Sequence, residues 1–72
     1  MRYVLVFVVN CSEYRETFKD FSDAHRSAIN TIRSESRIDG APEILGQWQG
    51  KVLYRWTVSM IDGIARPSER RK

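Results

Sequence analysis

The sequence predicts a small α+β domain: an antiparallel sheet of three or four strands with one helix on one face. Three observations predict it. Tyr3 to Val9 is an unbroken run of aliphatic and aromatic residues, Asp23 to about Ser36 repeats apolar residues at helical spacing, and Lys51 to Ile61 alternates. A chain of 72 residues makes one domain. At 42% hydrophobic and 29% charged, it can fold rather than remain disordered.

The first segment is apolar on both of its alternating faces. Tyr3, Leu5, Phe7 and Val9 lie on one side and Val4, Val6 and Val8 on the other, as in a central strand buried twice. Only seven residues long, and followed by Asn10 rather than a small residue before Cys11, it reads as a strand and not a secretion signal. A soluble, cytoplasmic protein is the expectation, with no membrane partner.

Asn10-Cys11-Ser12 supplies turn residues. Tyr14 to Phe21 fits two patterns. As a strand it alternates Tyr14, Glu16 and Phe18 with Arg15, Thr17 and Lys19. As a helix it starts a stripe of Tyr14, Phe18, Phe21, His25, Ala28 and Ile32. The strand is preferred, because Ser22-Asp23 forms a fresh helix start. The order is then β-β-α-β-β, or β-α-β-β if the second strand fails.

Within the helix, Ala24, Ala28, Ile29 and Ile32 form the apolar face, opposite Arg26, Asn30, Arg33 and Arg37. Gly40 and Pro42 end the segment. Glu43 to Gln49 reads as a strand and Gln49-Gly50 as a tight turn. The last strand puts Val52, Tyr54, Trp56, Val58 and Met60 on one face and Leu53, Arg55, Thr57, Ser59 and Ile61 on the other. One helix of about fourteen residues, ~21 Å long, covers only one face of the sheet. The face carrying Val4, Val6 and Val8 needs a cover, so a homodimer, a partner or the chain's own tail is expected there.

The net charge of +3 is local. Residues 1–65 hold eight basic and eight acidic side chains, so the excess lies in 66–72. The domain is therefore expected to span 1–65, with 66–72 a flexible basic tail.

No pattern points to catalysis. Cys11 and His25 are the sole pair for nucleophilic work and lack any local signature. One Cys and one His form neither an internal disulfide nor a four-ligand zinc site, so no metal or cofactor is expected. Gly46 and Gly50 lack the Lys-Ser/Thr of a phosphate loop and fit a hairpin. The protein reads as a non-enzyme.

Two binding surfaces remain. Arg26, Asn30, Arg33 and Arg37, with Trp48, form a candidate contact for a protein partner, the arginines being suited to carboxylates or phosphates. The alternative is a nucleic-acid surface of Tyr54 and Arg55 with the basic Arg66, Arg70, Arg71 and Lys72, since aromatics on a sheet stack on unpaired bases. Trp56 shares a face with Val52, Val58 and Met60 and belongs to the core; Trp48 fits either role.

The succession of the first strand, YRETFKDFSDAHRSAINTIR and the Trp-bearing hairpin EILGQWQGKVLYRWTVSM resembles tiny phage-encoded inhibitors of host machinery. Anti-CRISPR proteins and a phage inhibitor of bacterial RNA polymerase share this strand–helix–hairpin plan. The likeness spans residues 3–61 as an architecture and carries no residue-level motif. FSDAHRSAINTI is also similar to the strand-to-helix step of partial ribonuclease-H-type antitoxins, whose glycine-tyrosine strand is absent here. The resemblance implies a viral, non-enzymatic blocker of a host complex.

Overall fold

A computed structural model describes residues 1–35 and 37–68. In chain order the elements are β1 (Arg2–Val9), β2 (Ser12–Phe18), α1 (Phe21–Ser34), β3 (Glu43–Trp48), β4 (Lys51–Val58) and β5 (Ala65–Pro67). The strands form one antiparallel sheet in the order β2-β1-β3-β4-β5. The α+β class and the second strand are as the sequence predicts, but the sheet has five strands rather than three or four.

Both hairpins turn in two residues. Val9 faces Ser12 across Asn10 (φ 54°) and Cys11 (φ 69°), and Trp48 faces Lys51 across Gln49 (φ 52°) and Gly50 (φ 81°). Left-handed conformation at both central positions matches the twist of the flanking strands. Cys11 is strained in this conformation by a Cβ that glycine would lack. Its amide donates to Asp39 Oδ2 at 3.3 Å, which ties the turn to the segment after the helix.

The helix differs from expectation at both ends. It starts at Phe21, one residue ahead of the predicted cap Ser22, with Asp20 extended at the N-cap (φ −119°, ψ 145°). It ends at Ser34, where Glu35 turns extended and its amide donates to the Thr31 carbonyl at 2.9 Å. Arg37 consequently leaves the helix; its carbonyl accepts from the Asn10 amide at 3.4 Å.

The core lies between α1 and the facing side of the sheet. Leu5, Ala24, Ala28, Ile44 and Val58 are fully buried, ringed by Tyr3, Phe7, Phe18, Phe21, Ile29, Ile32, Trp56 and Ala65. Two alanines on the helix let it approach the sheet closely, and Phe21 packs on Trp56 with ring centroids 4.7 Å apart. At roughly 25 cal/mol per Å², burying these side chains is the main stabilising term.

The opposite face covers itself in part. Val4, between Thr17 and Leu45 in the register, is only 6% exposed, as is Leu45, between Val4 and Arg55. Val6 and Val8 are half-buried. Long neighbours close over this face, and Arg55 bonds Glu43 at 2.9 Å. The open apolar patch expected at Val4, Val6 and Val8 is thus narrowed by the chain's own side chains.

Arg66 and Pro67, expected in a flexible tail, belong to a strand. Ala65–Pro67 pairs with Trp56–Val58, and the Ser68 amide donates to the Arg55 carbonyl at 2.8 Å. Asp62-Gly63 reverses the chain tightly enough for these residues to join the sheet. The remaining tail positions, Glu69 to Lys72, lie outside the described residues.

Candidate interaction surface

The β3–β4 hairpin runs past the N-terminus of α1. A strand of eight residues is ~27 Å long and a helix of fourteen ~21 Å, so part of the strand outruns its cover. Phe21 reaches Tyr3 (5.8 Å) and Trp56 (4.7 Å). Beyond that point the hairpin is open. Trp48 is 52%, Val52 44%, Leu53 45% and Tyr54 55% exposed.

A register shift puts Val52 on the opposite face of the hairpin from Trp48 and Tyr54. Gln47 faces Val52 while Gly46 faces Tyr54, leaving Leu53 as an extra residue between two ladder pairs. This bulge interrupts the alternation read from the sequence, which places Val52 and Tyr54 beneath the helix with Trp56. Gly46 holds the arrangement, since a Cβ there would sit 3.3 Å from Trp56 Cζ3 and 3.4 Å from Tyr54 Cβ.

Beside the hairpin is an open groove of about 640 Å³. The start of β1 (Met1, Arg2), the end of β2 (Thr17, Phe18, Lys19) and Gln47–Gly50 line it. The lining has two cationic side chains, Arg2 and Lys19, and no carboxylate side chain. Its field favours an anionic group beside an apolar contact.

No family model, no curated protein and no solved structure matches this chain. What the surface can do therefore rests on its own geometry.

The residues singled out from the sequence fall in separate places. Arg26, Asn30 and Arg33 lie on α1, with Arg26 exposed and 3.7 Å from Asp23. Arg37 is exposed beyond the helix and Trp48 belongs to the hairpin. Tyr54 is an exposed hairpin residue, with its ring 5.9 Å from that of Trp56. Arg55 is engaged by Glu43, and Arg66 by Asp62 at 3.0 Å. Arg70, Arg71 and Lys72 lie outside the described residues. Trp56 packs against the core as expected.

The structure gives Cys11 and His25 separate partners. His25 Nε2 donates to the Gly63 carbonyl at 2.7 Å, while Cys11 occupies the exposed β1–β2 turn. Among the described residues no three His, Cys, Asp or Glu side chains gather as a metal site, and no helix is long and apolar enough to cross a membrane.

Sequence reasoning misses Leu53, Arg2, Lys19 and Ile61. The first three gain significance from the bulge and the groove. Alternation carries the last strand as far as Ile61, yet β4 stops at Val58 and Ile61 is 98% exposed on a loop. Ser59 Oγ accepts from the amides of Ile61 (3.1 Å) and Asp62 (3.3 Å), and Ile64 donates to Asp62 Oδ1 (3.0 Å). Arg66, together with the Ile64 amide, holds the Asp62 carboxyl well below its ordinary pKa. The Ser-x-x-Asp-Gly sequence is the signal available for this turn.

Proposed function

We propose that this protein is a non-enzymatic binding protein that inhibits or regulates a larger protein complex. It docks through the β3–β4 hairpin and the adjoining groove. The observation that carries this reading is one hairpin exposing Trp48, Val52, Leu53 and Tyr54, each 44–55% exposed, with Trp48 sharing a groove with Arg2 and Lys19. Aromatic and arginine side chains dominate the energetics of protein interfaces, and exposed aliphatics on the same hairpin suit a protein surface better than a base stack. The partner surface offers an apolar pocket with acidic residues at its rim. The resemblance to small phage inhibitors makes a host complex in the cytoplasm the natural partner class, with this chain a viral, anti-CRISPR-like blocker.

Nucleic acid is the second reading, favoured by the exposed rings of Trp48 and Tyr54 near Lys51. Against it, Arg55 and Arg66 already pair with carboxylates.

Capture from a nuclease-treated bacterial lysate tests the proposal. Wild type and the helix variant Arg26→Glu/Arg33→Glu are expected to retain the same protein, and Trp48→Ala and Leu53→Asp to lose it. Retention by the hairpin variants overturns the docking surface. Binding that nuclease abolishes, and that weakens steeply with salt in a direct oligonucleotide titration, establishes nucleic acid instead.

A further inference from the structure

Among the described residues the outer edge of the sheet at β2 is unpaired over seven residues, and every position from Ser12 to Thr17 is exposed. The hairpin geometry fixes which backbone groups face outward. Across a two-residue turn Val9 and Ser12 form a hydrogen-bonded pair, so Ser12, Tyr14, Glu16 and Phe18 point toward β1. Val8 agrees with this parity: its carbonyl faces away from β2 and accepts from the Asp39 amide at 2.8 Å. The N–H and C=O groups of Glu13, Arg15 and Thr17 are therefore aimed away from the sheet.

We infer that β2 pairs with β2 of a second copy, antiparallel about a twofold axis at Tyr14, joining two sheets into one. Charge selects this register. Only outward-facing residues can exchange hydrogen bonds, so Glu13, Arg15 and Thr17 must lie opposite one another. Centred on Tyr14, Glu13 faces Arg15 of the other copy and Arg15 faces its Glu13. A shift of one residue in the centre places Glu13 against Glu13, or Arg15 against Arg15. Like charges directly opposite are destabilising and opposite charges stabilise.

The residues concerned are available. Arg15 and Glu13 touch each other at 2.7 Å on the face away from α1, with side chains 57% and 52% exposed. In the dimer this pair becomes a four-membered network. On the other face Tyr14, 49% exposed, stacks on Phe7 with centroids 5.4 Å apart and an angle of 14°. The twofold brings the two Tyr14 side chains together at a non-hydrogen-bonded position, where side chains approach most closely, and extends the stack across the seam.

Sedimentation at protein concentrations up to about 100 μM, where even micromolar pairs form, tests the inference. Wild type is expected to dimerise. Glu13→Arg and Arg15→Glu each place like charges opposite and weaken the dimer by about tenfold or more. The double variant Glu13→Arg/Arg15→Glu restores it. A monomeric wild type overturns the inference, and so does a dimer whose affinity ignores these changes. Circular dichroism checks the fold of each variant. Where a reversal fails to fold, Tyr14→Cys in a Cys11→Ser background decides the matter: it cross-links to its own copy under mild oxidation if the register holds, and otherwise the inference fails. Loss of the hairpin docking surface through Trp48→Ala leaves this dimer unchanged, so the two assignments stand or fall separately.

Discussion

The two edges of the sheet solve the same problem in opposite ways. At β5 the edge is three residues long. Arg66 and Ser68 turn their backbone groups to β4, where the Ser68 amide meets the Arg55 carbonyl at 2.8 Å, so Ala65 and Pro67 face outward. Pro67 has no N–H to offer, and no further strand can add there. At β2 the edge is seven residues long, lacks proline, and carries alternating charge on one face. Charges on an edge deter indiscriminate pairing, whereas Glu13 and Arg15 at a two-residue spacing oppose the registers centred on either of them and favour the one centred between them. A blocked edge needs only geometry; a selective edge needs sequence.

The sharpest way to break this contrast is proline placed by parity on β2. Tyr14→Pro removes an inward N–H from the β1–β2 ladder and is expected to cost about 3 kcal/mol, readable by urea denaturation. Arg15→Pro removes an outward N–H and leaves the monomer nearly as stable while abolishing self-association. Equal losses in the two variants would show that the parity assigned to β2 is wrong.

Ending the chain after Ala65 probes the other edge. It removes the Arg66 and Pro67 pairings, the Ser68 contacts to Arg55 and Thr57 (Oγ–Oγ1 2.8 Å), and the Arg66–Asp62 bridge. A loss of about 2 kcal/mol is expected, lowering Tm by ~8–16 °C for a domain of this size. Ending after Ser68 instead is expected to leave Tm unchanged.

These elements also mark where the sequence is legible. Strong periodicity reveals β1, β4 and the body of α1; burial dictates residue type along β1, on one face of α1 and at the Trp56–Val58 end of β4. The helix-start signal at Ser22-Asp23, one residue past the observed start at Phe21, is enough to prefer a strand at Tyr14–Phe18. β5 stays hidden because it is short, carries arginine and proline, and owes its place to pairing with β4 rather than to a face of its own. The site is legible only in Trp48 and Tyr54. A bulge at Leu53 has no signature in composition, and the groove unites segments distant in sequence.

The smaller effects refine the comparison at the turns that lead into each edge. Cys11→Gly relieves a left-handed residue in the turn before β2 and creates an Asn-Gly pair. After the entropy of an added glycine, a gain of about 0.5 kcal/mol is expected, seen as a Tm rise of ~2–4 °C. In the loop before β5, Asp62 has a depressed pKa, so its contribution is present above the ordinary value of 3.8 and fades as pH falls below it. Asp62→Asn is therefore expected to melt slightly below wild type at neutral pH, with the difference shrinking on acidification below 3.8. Its exposure to solvent keeps the effect the smallest of the four.

The strand order divides the chain into two locally wired pieces, with consequences for how it folds. β1 and β2 meet across two residues, and β3, β4 and β5 follow one another as neighbours, so each piece forms with little loop-closure entropy. Pairing of β1 with β3 is different: Val6 meets Glu43 only after the helix and its connections have been gathered in. That seam carries the topological cost of the fold, and Leu5 and Ile44, fully buried opposite one another across it, offset that cost. Folding is thus the docking of two hairpin units along one seam. Trimming side chains at Leu5 or Ile44 will slow that docking, while changes at either turn act chiefly on the pieces before they meet.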